Sequence, residues 1–123
     1  MYIAVVSLYV DDVDRAIEFY TGKLGWQKTM DAPMGEGNRW VTVAPNENQT
    51  AFTLSQRKGE PGERPAGFSG VVMEVDDVKA EHGTLQGLGV EFVEQPRIEP
   101  WGGWATFKDT EGNVHGMHSP PPN

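Results

Sequence analysis

LYVDDVDRAIEFYTGKLGW, residues 8–26, carries a strand end, a helix cap, a helix and a helix stop in one short run. The residues before and into it, IAVVSLYV at 3–10, are mostly β-branched or aromatic, as extended chain prefers. Asp11 or Asp12 then offers a side-chain oxygen to the unpaired N–H groups of a new helix. Val13, Ala16, Ile17, Tyr20 and Leu24 follow at helical spacing, which gives that helix one apolar face, and Gly25 supplies the positive φ that ends it. The four residues Val10-Asp11-Asp12-Val13 recur as Val75-Asp76-Asp77-Val78. A strand-like GVVMEV precedes the second copy and a helix-like VKAEHGTLQGLG follows it, with LGV at 88–90 echoing LGW at 24–26. The motif is one strand–cap–helix unit used twice.

RWVTVA at 39–44 and TAFTLS at 50–55 alternate as strands with one buried face, and NEN at 46–48 separates them as a turn. With a short strand at 26–30 the first half reads βαβββ. The segment QRKGEPGERPAG at 56–67 is rich in Gly, Pro and charge and cannot pack a core. It serves as the linker, so the chain is expected to be one domain with module one at about 1–56, linker about 57–68 and module two about 69–123. The second half gives strands at 92–94 and 104–108, a DTEG turn at 109–112, and a last strand from Asn113 to His118 that Pro120 to Pro122 must stop.

At 123 residues, there is room for a single core. A 37% hydrophobic and 23% charged composition is globular, and no apolar run is long enough to span a bilayer. The apolar N-terminus lacks a basic leading region and a cleavage site, so the expected location is cytoplasmic. With no cysteine, disulfides, thiolate nucleophiles and thiolate metal sites are excluded. A formal charge of −8 disfavours nucleic acid and anionic lipid as partners.

Two such modules, with LYVDDVDRAIEFYTGKLGW opening the first and PWGGWATFKDTEGNVHGM closing the second, resemble the glyoxalase, bleomycin-resistance and extradiol-dioxygenase superfamily, also called vicinal oxygen chelate proteins. The family pattern V-x-D-[LV]-x-[RK]-[AS]-x-x-F-Y-x-x-x-L-G is met at the start. P-W-G and a D-P-x-G-N turn close the pattern, here with Thr110 in place of Pro. The resemblance implies an α+β fold of two tandem βαβββ modules, each curling into a U-shaped, partly open mixed sheet with its helix outside, around a cavity. It also implies small-molecule chemistry, and commonly a homodimer, whose second copy would cover the open sheet edges.

Enzymes of the family hold a divalent metal with His, Glu or Gln from the first and last strand of each module, and these positions fall here at Val5, Thr53, Gly70 and Gly116. Valine and glycine carry no donor and a lone threonine hydroxyl is a poor one, so no metal cofactor is expected. His115 and His118 do not replace the set, because on an extended strand they point to opposite faces. His82 reads as a half-buried helix residue.

Strand alternation from those positions turns Ile3, Ser7, Tyr9, Ser55, Val72, Glu74 and His118 inward, and sets Ala4, Val6, Leu8 and Val10 against the helix. Trp40 and Trp104 begin strands near the expected cavity mouth, where two indoles could sandwich a planar ligand or simply fill a core. Trp26 reads as core and Trp101, in PWGG, as a lid or a loop anchor. Glu74 is costly to bury on a strand without a partner, which makes it a recognition group for a ligand amine, a general base, or a residue of the exposed rim. Tyr9 and His118 are the other proton-transfer candidates. The expected ligand-binding set is Tyr9, Trp40, Thr53, Glu74, Trp104 and His118. The function these residues fit is a metal-free binding protein that sequesters an aromatic or cationic compound. The alternatives are a metal-dependent lyase, isomerase or dioxygenase, and a metal-free enzyme with Glu74 as base.

Overall fold

A computed structural model describes residues 1–121; Pro122, expected to help stop the last strand, lies outside the described residues. The chain divides into two compact units, Met1–Pro65 and Ala66–Asn123.

In the first unit, β1 (Val5–Val10) leads into α1 (Val13–Glu18), which runs on as a π-helical turn, Phe19–Lys23, before β2 (Gln27–Pro33), β3 (Arg39–Ala44) and β4 (Ala51–Gln56). The second unit repeats the order with β5 (Gly67–Glu74), α2 (Val78–Gly87), β6 (Glu91–Glu99), β7 (Gly102–Lys108) and β8 (Asn113–Ser119). Each unit holds a four-stranded mixed sheet, ordered β1-β4-β3-β2 and β5-β8-β7-β6. The first and last strands of each pair in parallel, and the remaining pairs are antiparallel.

The repeated VDDV does the same work in both places. Its second aspartate is the cap: Asp12 Oδ1 accepts the Arg15 N–H at 3.0 Å and Asp77 Oδ1 the Ala80 N–H at 3.2 Å. These side chains satisfy donors that the first helical turn leaves unpaired. At the other end Gly25 and Gly89 adopt φ of 73° and 88°, a turn that β-carbon-bearing residues resist.

Alternation fixes which strand face is covered. In β1, Leu8 and Val10 are buried, while Val5 and Ser7 are exposed. Ile3 and Ala4 precede β1 and are exposed, so the expected alternation begins only at Val5. On the helix side of the first sheet, half-buried Trp26 stacks on Phe52 at 5.7 Å and tilts against Tyr20 at 5.4 Å, so it packs at the edge of the core. In the second unit an aromatic chain runs from His82 on α2 to Phe92, Phe107 and His115 at ring separations of 4.5, 5.9 and 5.6 Å. Each fully buried aliphatic or aromatic side chain here is worth about 1.5–3 kcal/mol, so helix-on-sheet packing dominates the stability of both units.

Several elements exceed their expected bounds, β2, β5 and β6 by the most. β2 continues to Pro33, past the short strand expected at 26–30, held where Arg39 Nη2 meets Asp31 Oδ2 at 2.8 Å. β5 starts at Gly67 rather than Gly70, which sits in a register shift with φ of 80°. β6 runs from Glu91 to Glu99 although Pro96 interrupts it; an edge strand tolerates the missing N–H, and two register shifts absorb the rest.

Candidate functional site

Register aligns the inward residues of the two sheets. In the first, Thr42 pairs with Thr53, and Tyr9 with Ser55; in the second, Thr106 pairs with Gly116, and Glu74 with His118. Trp40 and Trp104 each stand two residues before the paired threonine. Equivalent positions are thus Thr53 and Gly116, Ser55 and His118, Tyr9 and Glu74. The chemistry of the two faces differs sharply.

The first face is small and hydroxylated. Thr53 is buried and its hydroxyl lies 3.3 Å from the Ser7 Oγ, while Thr42 and Thr29 share a hydrogen bond of 2.6 Å. Tyr9 is half-buried. Trp40 is 38% exposed and borders a groove with Met34, Asn38, Ser55 and Lys58.

On the second face, glycine takes the place of threonine and the indole of Trp104 lies over it. A Cβ at Gly116 would stand 2.6 Å from Trp104 Cη2. The indole N–H reaches across to β6 and donates to Glu94 Oε2 at 2.9 Å, and Arg97 Nη1 meets Glu94 Oε1 at 3.5 Å. The Trp104 hydrogen bond is the main reason the Glu94 carboxyl ionises below its usual range. Trp104 is therefore fixed in plane by a charged acceptor and in depth by the glycine beneath it.

The open side of that indole helps to line a cavity of about 650 Å³ with Phe68, Val93, Val114 and Trp101, edged by the Glu94–Arg97 pair. Trp101 and Trp104 meet edge to face, with centroids 6.2 Å apart and planes inclined 68°. The two indoles make a corner rather than a parallel slot.

Glu74 and His118 stand behind Trp101 and do not line this cavity. Glu74, at the end of edge strand β5, has a side chain 60% exposed, which places it at the rim rather than on a buried floor. Its Oε1 lies 2.5 Å from His118 Nδ1, and His118 Nε2 lies 3.1 Å from the Trp101 carbonyl oxygen. With Glu74 ionised both neighbours are acceptors, so both ring nitrogens must carry hydrogen. The Glu74 hydrogen bond first, and the Trp101 carbonyl second, push the His118 pKa up. In that doubly protonated form neither ring nitrogen can take a proton from a substrate.

His115 is on the opposite face, as the spacing of the two histidines requires. It is fully buried, its Nδ1 is 2.7 Å from Ser69 Oγ, and burial pushes its pKa down to about 4. His82, half-buried on α2, leaves Nε2 without a hydrogen-bond partner and packs on Phe92.

A family model, the Glyoxalase/Bleomycin resistance protein/Dioxygenase superfamily, matches residues 2–115, and the chain belongs to that superfamily. It is similar to the uncharacterized protein YetH of Bacillus subtilis (strain 168), with 33% identity over 112 residues, 91% of this chain and 92% of that one. Among solved structures, a superfamily member from Sphaerobacter thermophilus DSM 20745 matches with a TM-score of 0.87 and 29% identity over 97% of both chains. TnmS3, an antibiotic binding protein from Streptomyces sp. CB03234, matches with a TM-score of 0.82 and 33% identity over 98% of this chain and 96% of its own.

The divalent metal that the superfamily resemblance implies does not fit these residues. Val5 presents hydrocarbon, the Thr53 hydroxyl is engaged with Ser7, Gly70 has no side chain, and the space above Gly116 is filled by an indole. Among the described residues no group of three or more His, Asp or Glu converges. No helix among them is long and apolar enough to cross a membrane.

Of the sequence-derived candidates, Glu74, Trp104 and His118 come together in one module, and Tyr9, Trp40 and Thr53 belong to the other. Sequence reasoning missed Glu94, Arg97, Phe68, Val93 and Val114. Glu94 had a faint signal, as a charge on a strand whose neighbour carries Trp104. The register shifts flanking it hid which residue it would face.

Proposed function

We propose that the protein binds planar aromatic small molecules without a metal, on the concave face of the second module, and sequesters rather than transforms them. The observation that carries this is the indole of Trp104 laid over Gly116, which puts a ring face where the family's enzymes carry a metal donor. A ligand stacked there gains about 0.5–1.5 kcal/mol from each aromatic contact, in addition to the apolar area it covers. Similarity to the antibiotic binding protein TnmS3 supports a binding role.

Charge has a smaller part in this reading than aromaticity. Glu94 is already answered by Arg97 and the Trp104 N–H, and Glu74 by His118. A cationic ligand gains an uncompensated carboxylate only above the pH at which His118 loses its proton. The doubly engaged imidazole also disfavours a Glu74–His118 general base. Exposed Phe68, Val72 and Val93 on the same unit fit a homodimer in which a second copy covers apolar surface, and such a protein would act in the cytoplasm.

Titration with three anthracenes carrying hydroxymethyl, trimethylammonium-methyl and carboxylate groups, followed by tryptophan fluorescence, tests the assignment. All three should quench, with the neutral one at least as tight as the cation while His118 keeps its proton. Trp104→Ala should weaken each by about tenfold, equivalent to roughly 1.4 kcal/mol. Binding curves unchanged by Trp104→Ala would overturn the site.

A further inference from the structure

We infer that His118 and Glu74 are positioning residues for this site, holding Trp101 in place as its second aromatic wall without touching the ligand. The inference rests on the aromatic-binding reading above for its purpose, but not for its geometry.

Trp101 is in the turn between β6 and β7, 50% exposed, and belongs to neither strand. Its position is set from β8. The imidazole of His118 lies parallel to the Trp101 indole, with planes 12° apart and centroids at 6.0 Å, while Nε2 faces the backbone oxygen of the same residue at 3.1 Å. The next residue, Gly102, has φ of 129°, and a Cβ there would strike the Ser119 carbonyl and stand 2.7 Å from His118 Nε2. The turn is pressed directly onto the last strand. The front of Trp101 then meets Trp104 at the cavity corner.

The imidazole thus joins three parts of the sheet. Glu74 approaches from β5, the Trp101 carbonyl from the β6–β7 turn, and Trp104 is its cross-strand neighbour on β7. The nearby charges on β6 answer one another, with Arg97 pairing to Glu94 and Glu99. Both polar contacts of His118 are kept only by the imidazolium. A neutral ring has one N–H, so a lone pair must then face either Glu74 or the Trp101 carbonyl. The raised pKa of His118 fits this arrangement, because the charged form makes both bonds. Below its ordinary value the clamp is complete; as pH rises through the raised folded value the contribution is lost and Trp101 is freed in one tautomer.

The experiment has two arms on the full chain. Without ligand, NMR follows the His118 ring and the Trp101 indole N–H through a pH titration. The two should report one midpoint, above that of an ordinary histidine, and Glu74→Gln should lower both together. With hydroxymethylanthracene, which does not titrate, the dissociation constant should rise about two- to tenfold across that midpoint, the weight of one hydrogen bond. Trp101→Ala should bind more weakly and show no such step. A purely structural role for Glu74 would reduce stability and move no midpoint. If the anthracene fails to bind, the aromatic-site reading fails, while the ligand-free arm still decides the clamp. A Trp101 signal that ignores the His118 titration overturns it, and wild-type protein alone suffices for that result should Glu74→Gln fail to fold.

Discussion

The indole of Trp104 occupies the space that any side chain at position 116 would need. A Cβ on Gly116 would sit 2.6 Å from Cη2 and 3.2 Å from Cζ2 and Cζ3 of that ring, so the glycine and the tryptophan are two halves of one arrangement. The equivalent position in the first module is Thr53, and Trp40 has no such seat.

Gly116→Ala should therefore act through Trp104. The indole must lift, which costs about 1–3 kcal/mol of stability as an overpacked site does, and the anthracene affinity should fall with it. Trp104→Phe in the Gly116→Ala background should recover part of the stability, since the smaller ring leaves room for the methyl group. A denaturant melt of the two single variants and the double variant reads the coupling. Additive losses would mean that the two residues do not share this space.

Purified protein should carry no stoichiometric divalent metal, because the four positions at which the family places donors offer hydrocarbon, glycine or an engaged hydroxyl. Elemental analysis of protein isolated without chelator is the check. About one Zn, Ni, Mn or Fe per chain would return the metal-dependent alternative.

Acid should destabilise the fold through His115. Its folded pKa, about 4, is below the ordinary 6.5, so at neutral pH both states are uncharged and nothing is lost. As pH falls below about 6.5 the unfolded chain takes up a proton that the buried ring refuses, and stability declines until the folded ring also titrates. The full loss is about 3 kcal/mol. His115→Gln should flatten the slope between pH 6.5 and about 4 in urea melts. An unchanged slope would mean that other groups dominate acid unfolding.

Phe68 and Val93 at the cavity, and Val72 on the same sheet, are exposed apolar side chains that a second copy closing over the ligand site should cover. Light scattering at tens of micromolar is expected to give a dimeric mass, and Val93→Lys should shift it toward monomer. A monomeric wild-type protein would contradict the dimer.

Phe19, Tyr20 and Leu24 beside VDDV, and the alternation of Leu8 with Tyr9 or Thr53 with Leu54, are local signals. Caps, helix faces and strand faces depend on residues one to four positions apart, and the chain states them directly. Tandem modules, the helix-side core and the opposite faces of His115 and His118 were legible for that reason. So was the poverty of the metal positions, which needs only side-chain chemistry and the family's spacing.

Pro96 shows where legibility stops. A proline normally argues against a strand, yet β6 passes through it because an edge strand can do without the N–H, and edge position is a property of the sheet. The two register shifts on either side of Glu94 decide that this residue, not a neighbour, reaches the Trp104 indole. Likewise Trp101 and His118 stack only because a turn folds back onto β8, with Gly102 at φ of 129° allowing the approach.

The two strand–cap–helix units and the lack of good metal ligands at the family's positions are written in adjacent residues or in the chemistry of single side chains, and the sequence alone was enough to read them. That Gly116 is a seat for Trp104, that Glu94 holds the ring, and that His118 stands between Glu74 and Trp101 came from tertiary packing. Those relations depend on strand register, bulges and ring orientation. These are set when distant strands pack together, and no local period encodes them.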